Sequence, residues 1–255
     1  MRKASAAMVT VCLLSGLAGI LAAQQEPAQI VRVYYMTPKS GMEMQFEDGV
    51  KKHMAWHAQK KDTWRWDVRF TETGPRSGEY VAVSAPRTWA DWDKPVVTSE
   101  EDGQNYLQTM APYVASWSSI LLRLRTDLSR GGEASATPKF SSVTFYHIRY
   151  GQTGKFVNAM RQIREALEKT NSPARSTWFQ VVASGRNAIF VVSTPRNSWA
   201  EFELTGPSPR ARVEEVFGRA AADSIYADLD DSVQFTESKI TSYRPDLSFV
   251  PATPR

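Results

Sequence analysis

Two hydrophobic periods alternate along this chain in the same order twice. Residues 30–37 are β-branched and aromatic, as are residues 143–150 (Val-Thr-Phe-Tyr-His-Ile-Arg-Tyr), and both segments read as strands. A helix is predicted after each. In the second half Phe156, Met160, Ile163 and Leu167 recur at the spacing that places them on one buried stripe. Residues 64–73 and 177–183 return to strand character. Each leads through a tight turn, Gly74-Pro75-Arg76-Ser77-Gly78 or Ser184-Gly185-Arg186-Asn187, into a partner strand over 79–84 or 188–193, which makes a hairpin. Thr88-Trp89-Ala90-Asp91 and Ser198-Trp199-Ala200-Glu201 then carry the hydroxyl-x-x-acid spacing of a capping box. They open a second helical region that resumes over 106–117 and 211–229, with Ser208-Pro209 as a second start. A last strand runs to Arg125-Thr126-Asp127-Leu128-Ser129 in one half and to Arg244-Pro245-Asp246-Leu247-Ser248 in the other.

The halves are copies. Val33-Tyr34-Tyr35 answers Val143-Thr144-Phe145, and Gly41 with Phe46 answers Gly151 with Phe156, at an offset of about 110 residues. Ser84-Ala85-Pro86-Arg87-Thr88-Trp89 aligns with Ser193-Thr194-Pro195-Arg196-Asn197-Ser198-Trp199 given one insertion. The order β-α-β-β-α-β therefore occurs twice, as unit one over 27–129 and unit two over 140–250. The linker, 130–139, is small and polar. A unit of this order is a ferredoxin-like split βαβ, whose free sheet face needs cover. The predicted class is α+β, two ferredoxin-like units packed sheet to sheet as an intramolecular barrel.

The N-terminus has a different pattern. Arg2 and Lys3 precede an uncharged apolar run over 6–23 that ends in small residues, the plan of a signal peptide cut after Ala23. Leu21 stands where such cuts prefer a small residue, so a retained anchor is the alternative. The cut changes the charge and the redox chemistry. The full chain has 31 basic and 27 acidic residues, and removal of Arg2 and Lys3 leaves 29 basic, a nearly balanced protein. Cys12, the single cysteine, leaves too, which excludes thiol nucleophiles and cysteine-ligated metals and suits a periplasmic or secreted protein. Lys and Arg are scattered, so no nucleic-acid partner is expected, and no membrane partner once the signal is gone. A duplicated chain can complete its barrel alone, as a monomer or within a homo-oligomer.

Element order and duplication together make the chain resemble the dimeric α/β-barrel superfamily, which includes antibiotic-biosynthesis monooxygenases, chlorite dismutases and dye-decolorising peroxidases. The resemblance spans nearly the whole mature chain. It is strongest to exported bacterial tandem barrels bearing the Pro-Arg…Trp-Ala-[Asp/Glu]-aromatic motif seen here at Arg87, Trp89, Arg196 and Trp199. No catalytic motif of those families is matched, so the resemblance implies architecture alone. In several of them a ligand or haem lies between the helices and sheet of one unit, with a helix supplying an axial histidine.

Against that background, His53 and His57 are the sharpest local feature. They lie four apart on one helix face, where the offset puts Ile163 and Leu167 of unit two. The plainer expectation is a helix end fraying into solvent before Lys60-Lys61-Asp62. The alternative is a pocket, for which Trp56, Trp64, Trp66, Tyr35 and His147 are further candidates. No metal is expected, since two ligands lack a third, and no cofactor, with haem as the alternative. Arg87, Trp89, Arg196, Trp199, Asp127 and Asp246 recur in both units and are expected to serve structure, because one active site needs one copy. Nucleotide fingerprints and Ser-His-Asp spacings are absent. The function expected is binding of a small apolar or aromatic ligand or an interaction role. Its alternative is an oxygenase that needs no cofactor, or a haem oxidoreductase, using a unit-one pocket.

Overall fold

The structure, a computed structural model, describes residues 29–131, 137–203 and 205–251. The expected signal segment and residues 132–136 of the linker lie outside the described residues. Unit one contributes β1 (Ile30–Pro38), α1 (Glu43–Gln59), β2 (Trp66–Thr73), β3 (Tyr80–Ser84), α2 (Trp89–Trp92), α3 (Ser99–Thr109) and β4 (Val114–Leu124). Unit two contributes β5 (Phe140–Ile148), α4 (Thr153–Lys169), β6 (Thr177–Val181), β7 (Ile189–Arg196), α5 (Pro209–Phe217), α6 (Arg219–Ser232) and β8 (Val233–Tyr243).

All eight strands form one closed antiparallel barrel in the order β1-β3-β2-β8-β5-β7-β6-β4. The units therefore join edge to edge as well as face to face. β2 pairs with β8 through Arg69 and Tyr243, and β4 pairs with β6 through Leu122 and Val181. Closure leaves no unpaired edge. Strand alternation sends Val33, Tyr35, Val81, Leu122, Val181 and Val191 into the lumen, and Met36, Trp66, Val68, Tyr80 and Ala82 outward beneath the helices of unit one.

The Arg-x-Asp-Leu-Ser segments lock the two seams. Arg125 N–H donates to Trp178 O and Ser129 Oγ accepts from Trp178 N–H, while Arg244 N–H donates to Val68 O and Ser248 Oγ accepts from Val68 N–H. Each segment reaches into the other unit. Leu128 is buried in the core of unit two and Leu247 in that of unit one. Arg125 grips Asp127 through two bonds of 2.8 Å, and Asp127 also takes Arg161 of α4. Arg244 grips Asp246 and, at 2.6 and 2.8 Å, Glu47 of α1.

Two predicted elements differ. The helix expected over 106–117 ends at Thr109, then turns through a short 3-10 segment containing Pro112, and residues from Val114 pair with β1. Pairing with a central strand outweighs the local helical preference there. The Thr88 box forms as predicted, with Thr88 and Asp91 exchanging bonds. Ser198 forms none: Trp199–Phe202 is a 3-10 turn in which Glu201 accepts from Asn197 N–H instead.

Candidate functional site

Both histidines face inward. His53 is 7% exposed and His57 3%, so the expectation of a helix end fraying into solvent is corrected. The helix stays closed because its end is a Schellman turn: Asp62 N–H donates to His57 O and Lys61 N–H to Ala58 O, with Lys61 left-handed at φ 54°. That turn folds Asp62 back under the last helical turn. Its Oδ2 accepts from His57 Nδ1 at 2.8 Å and its Oδ1 from Trp64 N–H at 3.0 Å. Unit two makes the same turn with Asn171 left-handed and Ser172 in place of Asp62.

The third group comes from α3. Thr98 caps this helix in a reciprocal box with Glu101, which fixes the next residue, Asp102, over the histidines. Asp102 Oδ1 lies 3.1 Å from His53 Nε2 and 3.3 Å from His57 Nε2, and the two Nε2 atoms are 3.3 Å apart. His53 Nδ1 donates to Asn105 Oδ1 at 2.7 Å, one turn further along α3. Asp102 Oδ1 is sealed from solvent yet makes no well-formed hydrogen bond. Both Nδ1 atoms are committed to acceptors, which turns both Nε2 lone pairs toward Asp102. Three acceptors thus converge on one point.

Such a cluster needs a positive charge. For His57, burial alone pushes the pKa down, but the close carboxylates of Asp102 and Asp62 outweigh it and hold it at about 8. Asp102 is partly buried, which opposes ionisation, yet the two imidazoles keep its carboxyl well below the usual carboxylate range.

A cavity of about 250 Å³ opens from this cluster between α1, α3 and the sheet. Tyr34, Met36, Val50, Trp66, Val68 and Ala82 supply its apolar walls, and Trp117, 58% exposed, stands at its margin. It exists because the inward face of α3 is Ser99, Asp102, Gly103 and Tyr106, too small and polar to fill the layer. In unit two Ile163, Ala166, Val213, Ala222 and Ile225 pack the corresponding layer solid.

The other candidates divide. Trp66 lines the cavity. Trp56 stacks on His53 from the half-buried side, at 5.8 Å and 16°. Trp64 precedes β2 rather than sharing its face and packs edge-on against Trp92. Tyr35 is corrected to the opposite face, since its neighbour Tyr34 is the one beneath α3; Tyr35 and His147 line a separate cavity of about 320 Å³ at one end of the lumen. There His147 stacks on Phe235 at 4.0 Å, and Lys239 pairs with buried Glu79. Arg87 donates to Thr63 O and covers Trp64, Arg196 covers Phe202, and Trp199 packs on Phe140. Trp89 is largely exposed.

No family model and no curated protein sequence matches the chain. Its fold has solved counterparts. It is similar to a candidate monooxygenase from Lactobacillus acidophilus NCFM, at 9% identity and a TM-score of 0.56 over 88% of this chain and 97% of that one. The fold is that of the dimeric α/β barrels. An anthrone oxidase-like protein is similar at 11% identity and a TM-score of 0.51, over 86% and 92% of the two chains. A chlorite dismutase variant from Candidatus Nitrospira defluvii is similar at 7% and 0.50, over 85% and 92%. Identities this low carry the barrel fold and no residue roles.

The axial-haem alternative does not fit these residues. An axial imidazole must present its free nitrogen to an open, flat slot, whereas both Nε2 atoms face each other and Asp102 within 3.3 Å.

Proposed function

We propose that this chain binds a small, mainly apolar molecule of one or two rings in the unit-one cavity, its polar end against His53, His57 and Asp102. The observation that carries this is an apolar cavity closed at one end by a buried polar cluster, the arrangement typical of small-ligand sites. Size supports it: a dry cavity of about 150 Å³ holds benzene, so about 250 Å³ suits a slightly larger ring system. The apolar run over 6–23 after Arg2 and Lys3 supports action in the periplasm or outside the cell.

A second reading keeps the site and adds turnover. The fold neighbours named as a monooxygenase candidate, an oxidase-like protein and a dismutase support oxidoreduction as the class of reaction.

Titration with 1-naphthol, followed by tryptophan fluorescence, tests binding. Trp66 and Trp117 line the cavity, and a Cβ added at Gly103 meets nothing within 4 Å, so Gly103→Leu projects into open space beside it. Saturable one-to-one quenching, weakened at least tenfold in Gly103→Leu, is expected. Quenching that never saturates, or is equal in both proteins, overturns the reading.

A further inference from the structure

The same three side chains that close the cavity have the geometry of a metal centre. We propose that His53 Nε2, His57 Nε2 and Asp102 Oδ1 hold one first-row divalent transition metal ion. The inference deepens the binding reading above, since the metal would face the ligand, but it stands on its own observations.

The first observation is spacing. Separations of 3.1, 3.3 and 3.3 Å make a nearly equilateral triangle of donor atoms. The point equidistant from its corners lies about 1.9 Å from each, so an ion at the usual 2.0–2.1 Å sits slightly above the plane with ligand–metal–ligand angles of roughly 100°. Those angles suit a facial two-histidine, one-carboxylate set with further positions open. All three residues line the cavity, so the open positions face its contents.

The second observation is the outer shell. A ligating imidazole ordinarily donates its other N–H to a carboxylate or carbonyl, which fixes the tautomer and raises the basicity of the ligating nitrogen. Both do so here: His57 to Asp62 and His53 to Asn105. Third, Asp102 Oδ1 is sealed from water without a well-formed hydrogen bond, a costly state for a carboxylate oxygen unless a cation meets it. Charge agrees, since a divalent ion balances Asp62 and Asp102 when both imidazoles are neutral. Two histidines and one oxygen ligand, with no thiolate, select Fe(II), Mn(II), Co(II) or Zn(II) over Cu(I), and the two imidazoles disfavour Mg(II) and Ca(II).

Unit two shows what the fold does without this role. Ile163 and Leu167 stand where His53 and His57 do, and Ser172 stands for Asp62. The shared turn survives with none of the donors.

Co(II) titration of the chelator-treated protein tests the proposal, by calorimetry and by the visible absorption of the bound ion. One Co(II) per chain is expected. Affinity should fall at least a hundredfold in His57→Leu and in His53→Ile, which install the unit-two residues and keep the layer packed, and in Asp102→Asn. Asp62→Ser, which touches only the outer shell, should cost 10- to 100-fold. Absence of one-to-one binding, or binding that persists unchanged in the folded His53→Ile/His57→Leu double variant, overturns the proposal. The two readings fail separately: 1-naphthol binding without Co(II) binding removes the metal alone, and Co(II) binding without 1-naphthol binding removes the apolar ligand alone.

Discussion

Two glycines in the helix layer of unit one should respond oppositely to the same substitution. Gly49 lies on α1 where α3 ends, and a Cβ built there would stand 2.3 Å from the backbone oxygen of Thr109 and 3.4 Å from Met110 Cα. Ordinary contact is about 1 Å longer, and the obstacle is backbone, so α3 must move away by about that distance. Overpacking of this kind costs roughly 1–3 kcal/mol, against which alanine gains about 1 kcal/mol of helix propensity. Gly49→Ala is therefore expected to be destabilised by about 0–2 kcal/mol, a drop of up to several degrees in a chain this size. Gly103 on α3 has the same propensity to gain and no clash, so Gly103→Ala should gain up to about 1 kcal/mol. Urea unfolding measures both. Co(II) affinity adds a local readout, because α3 carries Asp102 and Asn105, and a shift near 1 Å spreads the donor triangle. At least a tenfold loss is expected in Gly49→Ala alone. A Gly49→Ala protein as stable as Gly103→Ala, with unchanged Co(II) affinity, would refute the close approach of α1 and α3.

Other consequences follow from single residues. Lys61 is held left-handed at the C-terminal turn of α1, a conformation that costs a side-chain-bearing residue about 1 kcal/mol relative to glycine. Lys61→Gly should raise the thermal midpoint without altering Co(II) or 1-naphthol binding, and a lowered midpoint would contradict the assignment. Asp127 is held at about 2 by its bonds to Arg125 and Arg161, which outweigh partial burial. A carboxylate depressed in the fold contributes stability above its unfolded value near 3.9 and loses it as pH falls through the folded value. Urea unfolding should therefore weaken between about pH 4 and pH 2, and Asp127→Asn should show a shallower acid limb.

The two-unit arrangement and the order of elements along the chain were legible because each rests on local signals repeated at one spacing: the hairpin turns, the Thr88 box and the Arg-x-Asp-Leu-Ser closures. The site was half legible. His53 and His57 stood out against Ile163 and Leu167, but their partners came from tertiary structure. Asp62 meets His57 only through a Schellman turn that needs Lys61 left-handed, and no local rule favours lysine there. Asp102 sits on a helix whose inward face lacks an apolar stripe, so the periodicity that reveals α4 is silent on α3. The Thr98-x-x-Glu101 box was readable and would have placed that helix. Tyr34 and Tyr35 show the limit of a period-two pattern in a barrel, since both faces of the strand are covered and hydrophobicity cannot say which is which.

Binding of a small molecule in the helix layer of unit one, rather than in that of unit two, can be followed residue by residue. Trp66 and Trp117 line the unit-one cavity, whereas Trp178 lies in the core of unit two and Trp199 packs on Phe140 there. An indole N–H spectrum of nitrogen-labelled protein, recorded during addition of 1-naphthol, should show Trp66 and Trp117 moving together and saturating while Trp178 and Trp199 stay fixed. Saturating shifts at Trp178, or none at Trp66, would contradict the account.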